Sequence, residues 1–211
     1  MTLTAMKIFF LIAFVGHLLC CFCDRSITYT PNGRFNFKYL NDNSKLSELF
    51  NGTPLKNQLF SIIGGVFALI MSTLGYIAVY EYITSYSSIY GIIMLVAIVM
   101  LIVAGTAHHV FCGAIEWFYI RMGRTEEARK AIVEFFKKTS VTMLLCYIGF
   151  LVFSVTLFVA ILSGLTDLPR WVCVFNVVPI FALLLPFRIV GSFNIASATM
   201  FLSLFIVFCF I

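Results

Sequence analysis

Residues 89–120 read IYGIIMLVAIVMLIVAGTAHHVFCGAIEWFYI, an apolar run whose only histidines and only acid come late, at His108, His109 and Glu116. A helix crosses the ~30 Å hydrocarbon of a bilayer with about 20 residues, because each adds ~1.5 Å and lipid offers a backbone amide no partner outside its own segment. The run exceeds that length, so its helix must tilt, kink or extend past the membrane surface. Comparable runs cover 8–23, 59–83, 141–165, 171–187 and 193–211, which makes six candidate spans. The fifth is short and holds Asn176 and Pro179, a place where a helix can bend because proline lacks a backbone donor. Over 211 residues the chain is 62% hydrophobic and 11% charged, where a soluble domain carries about half apolar and about a quarter charged residues. The expected fold is all-α: an integral membrane bundle of about six transmembrane helices, a single polytopic domain over 1–211 with a polar loop or cap after the first helix.

Two polar segments interrupt the spans. Residues 24–58 contain the turn formers Pro31, Gly33, Asn41 and Asn43 among scattered Leu40, Leu46, Leu49 and Phe50, a pattern for a surface cap or re-entrant loop. Residues 123–139 predict a helix, with Thr125 as N-cap, Glu126 and Glu127 in the first turn and Lys137 and Lys138 in the last, where the helix dipole favours each sign. Ala128, Ile132, Phe135 and Phe136 share one face, so this helix lies at the interface or continues into the fourth span.

Basic residues assign the orientation. Arg25, Arg34, Lys38, Lys45 and Lys56 follow the first span, and Arg121, Arg124, Arg129, Lys130, Lys137 and Lys138 follow the third. Arg188 follows the fifth, while the other side offers only Lys7 and Arg170. Loops rich in Lys and Arg stay in the cytoplasm, which puts both termini outside and the first span in the mature chain rather than in a cleaved leader. The net charge of +5 does not call for nucleic acid, since the basic groups sit beside predicted membrane boundaries, where anionic headgroups attract them. The partners this composition allows are membrane lipids, a hydrophobic small-molecule ligand and a second copy of the chain in a homo-oligomer.

Of the seven cysteines, Cys112, Cys146, Cys173 and Cys209 fall inside spans, where a thiol acts as a small hydrophobe. Cys20, Cys21 and Cys23 cluster beside Asp24 and after His17, but the spacing matches no zinc pattern with a second ligand pair. The expectation is therefore no cofactor and no stoichiometric metal. In the second span Ser61, Gly64, Gly65, Ala68, Ser72 and Gly75 recur near every third or fourth position, which lets a neighbouring helix approach closely.

Ionisable groups at membrane depth are costly and tend to face a bundle interior, so each is a candidate for function. His108, His109 and Glu116 are the expected acid–base groups: His109 and Glu116 fall within about 20° of each other at ~100° per residue, and His108, Cys112 and Glu116 follow at four-residue steps. His17, Glu81, Cys112 and Asn176 are the expected ligand contacts. Gly16-His17, Thr30-Pro31-Asn32-Gly33-Arg34-Phe35 and the stretch Leu40 to Ser47 resemble a family of uncharacterised six-pass bacterial membrane proteins. That resemblance implies an inner-membrane location and a compact six-helix bundle, and carries no activity with it. Two classes of function fit these residues. One binds or modifies a lipid or small hydrophobic molecule in an intramembrane polar pocket. The other is a small transporter, channel or proton-linked sensor, or a scaffold subunit whose loops meet a partner.

Overall fold

The structure, a computed structural model, describes residues 1–210, and helices account for most of them. Thr2 accepts a hydrogen bond from the Ala5 amide and so starts α1 (Leu3–Thr28). A short hairpin of β1 (Tyr29–Thr30) and β2 (Gly33–Arg34), a 3-10 turn at Phe37–Asn41 and α2 (Asn43–Leu49) lead into α3 (Leu55–Thr84). α4 (Ser88–Val99) passes through a π-helical turn at Met100–Ala104 into α5 (Gly105–Arg121) without a break. α6 (Glu126–Thr139) runs on into α7 (Val141–Leu162), α8 spans Val177–Leu184, and α9 (Ser192–Phe210) completes the bundle. Among the described residues, five helices are long and apolar enough to cross a membrane: α1, α3, α4–α5, α6–α7 and α9.

The fifth expected span is different. It consists of a 3-10 turn at Arg170–Phe175, the 8-residue α8 and a second 3-10 turn at Leu185–Phe187, too little regular helix to cross hydrocarbon. Pro179 does not bend it, because it lies in the first turn of α8, where a donor is not needed. The segment still links opposite ends of the bundle. Tyr86 at the end of α3 donates to Asp167 (2.6 Å), and Arg34 beside the hairpin donates to the Arg188 carbonyl (3.0 Å).

At one end, the Met1 amino group meets Glu81 and Phe208 packs on Phe10 and Tyr82, so the start of α1 and the end of α9 lie together. At the other end sits a cap. Arg124, in the left-handed region at φ 58°, follows Gly123 and bonds back to the Tyr119 carbonyl, which reverses the chain from α5 into α6. Thr125 caps α6 through the Ala128 amide, with Glu126 and Glu127 first and Lys137 and Lys138 last, as the sequence predicts. Leu40, Leu46, Leu49 and Phe50 bury against Ile115 and Tyr119 of α5 and Ala128 and Ile132 of α6.

α4–α5 and α6–α7 have 34 and 37 residues, roughly 50 Å or more each, against a core of ~30 Å. Lys138, largely exposed, follows Phe136, whose ring packs near His108, and Thr142 comes to 3.4 Å of the same imidazole. His108 and His109 are thus level with the end of α6 and the start of the apolar α7.

α1 is built into the centre. A side-chain carbon on Gly16 would fall 2.8 Å from the Ala68 carbonyl and 2.9 Å from the Ser72 amide, so α1 and α3 cross almost backbone to backbone. Ser61, Gly65, Ala68, Ser72 and Gly75 of the expected small-residue stripe are buried. Below the crossing, Tyr76 packs edge-on against Phe153 and Phe201, and Phe10 and Phe208 extend this aromatic core towards the termini.

Candidate functional site

Between cap and bundle lies a cavity of about 810 Å³. Its floor reaches Leu69, Tyr76, Leu101 and Ile102 in the bundle, and its mouth carries Arg34, Asn36, Tyr39 and Arg188. Along its wall runs a string of polar contacts drawn from four helices. Tyr76 Oη donates to His17 Nε2 (3.2 Å), His17 Nδ1 to Asn194 Oδ1 (2.9 Å), and Asn194 Nδ2 to Asp24 Oδ2 (2.8 Å). The other carboxylate oxygen, Asp24 Oδ1, faces His109 Nδ1 at 3.5 Å, and His109 Nε2 meets the Ser61 carbonyl at 3.0 Å.

The direction of these bonds is dictated by chemistry. A carboxylate only accepts, so the Asn194 NH₂ faces Asp24 and its Oδ1 faces His17, which puts the proton of the neutral ring on Nδ1. Nε2 then accepts from the Tyr76 hydroxyl. Every donor in this half of the string therefore ends on one carboxylate, which is the arrangement that holds an anion in place away from bulk water.

Local sequence explains the placement. His17, Cys20 and Asp24 are spaced three and four apart on one face of α1, and Asn194 enters from the first turn of α9. His109 lies on α5 one turn beyond the π-helical segment, and π turns commonly mark functional positions. Gly65 of α3 is glycine because the His109 ring occupies the space of its missing side chain, with Nε2 and Cδ2 inside contact distance of any carbon placed there.

The expected site residues fall in three places. His17, His108, His109, Cys112 and Glu116 line the cavity. His108 Nε2 approaches the Cys112 thiol (3.4 Å), and Glu116 accepts from Gln58 (3.4 Å), so the imidazole–carboxylate pair of the site is His109 with Asp24, and Glu116 pairs elsewhere. Glu81 lies at the far end beside the Met1 amino group. Asn176 is buried with its amide divided between capping α8 (Val178 amide, 3.1 Å) and the Ser154 carbonyl (3.1 Å), away from the cavity.

Asp24, Asn194, Tyr76 and Ser61 were not among the expected site residues. The signal for Asp24 is present in the sequence, since it is the only acid before Asp42 and shares a helical face with His17. Asn194 is the one carboxamide in the last apolar run. No curated protein and no solved structure matches the chain. A family profile does match, over residues 1–211, and the chain belongs to that family, DUF6796, a family of unknown function.

Proposed function

We propose that the protein holds an amphiphilic lipid or small hydrophobic molecule beneath its cap and binds or modifies it there, in a bacterial inner membrane with both termini outside. The observation that carries this reading is the cavity of about 810 Å³ that is lined by two arginines and by apolar side chains, with Asp24 and His109 on its wall. Ligand sites are concave, mostly apolar and punctuated by a few convergent polar groups, and this volume lies in their usual range. A polar head beside Arg34, Arg188 and Asp24 and a tail beside Leu69 and Leu101 fit this lining. A histidine and a carboxylate facing each other can also take a proton from a bound hydroxyl or return it, which makes anchoring and modification two uses of one pair.

A transport path receives less support. The polar string ends at Tyr76, whose ring is enclosed by Phe153 and Phe201 at 4.9 and 5.1 Å, and the core towards the termini is aromatic.

Native mass spectrometry of protein extracted in mild detergent tests the proposal. Wild type should retain a lipid or small molecule that Asp24→Asn releases, with a loss of roughly 10- to 100-fold in retention because a hydrogen bond to a charged group is worth about 1.5–3 kcal/mol. Leu69→Trp, which fills the apolar end and spares the polar groups, should release it too. Wild-type protein that carries no adduct at any detergent strength overturns the reading.

A further inference from the structure

We infer that Cys20, Asp24 and His109 form a binding site for one divalent transition-metal ion of the zinc class, open to the cavity. One ligand atom from each of the three, a thiol sulfur, a carboxylate oxygen and an imidazole nitrogen, lies within 4.8 Å of the other two. Cys20 and Asp24 stand one turn apart on α1, and His109 comes from α5, 85 residues further along the chain, as the ligand that the local cysteine spacing lacks. Cysteine, histidine and carboxylate with a vacant fourth position is a donor set suited to zinc, and all three residues border the cavity, where water or a ligand headgroup can fill that position.

The hydrogen bonds around the three residues suit a cation. His109 Nε2 lies 3.0 Å from the Ser61 carbonyl and 3.3 Å from the Ser61 hydroxyl, and with its proton on Nε2 the ring donates to the carbonyl and turns the lone pair of Nδ1 at Asp24 Oδ1, 3.5 Å away. An ion between them takes both as ligands, and two ligands ~2.0–2.1 Å from a tetrahedral ion stand roughly 3.3 Å apart. The surroundings of both groups are those of metal ligands: the far nitrogen of the histidine donates to a backbone carbonyl, and the far oxygen of the carboxylate accepts from Asn194 (2.8 Å). Charge also balances. Binding displaces the Cys20 thiol proton to water in the cavity, and the resulting thiolate and the Asp24 carboxylate together neutralise a dication.

The other thiols are engaged elsewhere. Cys21 lies against Val190 and Gly191, Cys23 against Gly64, and Cys112 beside His108. They serve as controls.

Elemental analysis of protein purified without chelator should find close to one zinc-class ion per chain. After chelation, titration with Co²⁺ should produce a thiolate-to-cobalt charge-transfer band that saturates at one equivalent. Cys20→Ala and His109→Ala should abolish the band, Cys21→Ala and Cys112→Ala should keep it, and Cys20→His should keep bound cobalt while losing the thiolate band. The wild-type titration decides the matter even where a variant fails to fold. Wild-type protein with neither stoichiometric metal nor a cobalt–thiolate band overturns the site, as does a band that survives loss of Cys20 or disappears with Cys21 or Cys112. Retention of a lipid is read separately by mass, so the metal site and the lipid pocket stand or fall on different measurements.

Discussion

The two ends of this bundle are made from similar residues put to different use. At the end of the termini, Glu81 meets the Met1 amino group at 3.5 Å with 42% of its side chain exposed, and Tyr86 donates to an exposed Asp167. These contacts are exposed. α4–α5 and α6–α7 are longer than a hydrocarbon crossing needs, and at the cap end Leu40, Leu46, Leu49 and Phe50 close over α5 and α6. Polar groups that would otherwise meet headgroups and water are enclosed there, and enclosure is what links Tyr76, His17, Asn194, Asp24, His109 and Ser61 into one string. A charged side chain near a membrane is informative when something covers it.

The largest effect that can break this comparison is all-or-none. Both ends of the chain should lie outside and the cap inside, because the cap carries most of the arginines and lysines. A reporter fused after Ile211 should behave as extracytoplasmic and one inserted beside Lys130 as cytoplasmic. The reverse pattern would turn the cavity mouth to the other face of the membrane and overturn the charge argument.

The fold was more legible in the sequence than the site, and the reasons are physical. Hydropathy is additive along a segment, so five of the six apolar runs lie in helices long and apolar enough to cross a membrane, the third of them in a helix of 34 residues. The caps of α6 were legible for the same reason, since N-cap and dipole preferences act within one turn. The segment 171–187 was not, because Asn176 and Pro179 mark where a short helix starts, and only packing against α7 and α9 tells a start from a bend. The site depends on approach between helices distant in sequence. The histidine pair on α5 is visible, yet helical spacing points to Glu116, seven residues along the same helix, whereas the carboxylate facing His109 lies on α1. Periodicity shows which residues share a face and cannot show which face of another helix comes to meet it.

A second, smaller effect probes how the cap-end string is held. Gly65→Ala adds one carbon where the His109 ring now lies, and the ring must move away from the Ser61 carbonyl, from Asp24, or from both. Overpacking of this kind costs roughly 1–3 kcal/mol, which a thermal melt in detergent measures. Lipid retention should fall with it, while circular dichroism stays helical. An unchanged melting temperature with full retention would mean that the ring has room to yield, and that Asp24 needs no fixed imidazole.

The smallest effect is the one that best isolates enclosure from charge: the same substitution placed at both ends. Glu81→Gln removes an exposed carboxylate whose single ionic contact, 3.5 Å from a terminal amine, is of the kind worth between 0 and about 1 kcal/mol. Stability should shift by less than about 0.5 kcal/mol, and ligand retention should not move. Glu116→Gln makes the identical change beside the cavity, where Glu116 is buried and its one side-chain partner is Gln58 at 3.4 Å. There the carboxylate is shielded from water and borders the space that a headgroup would fill, so its loss should weaken retention measurably, by less than Asp24→Asn does because no string of donors ends on it. Equal responses from the two glutamates, whether both silent or both damaging, would remove depth and covering as the properties that separate the ends.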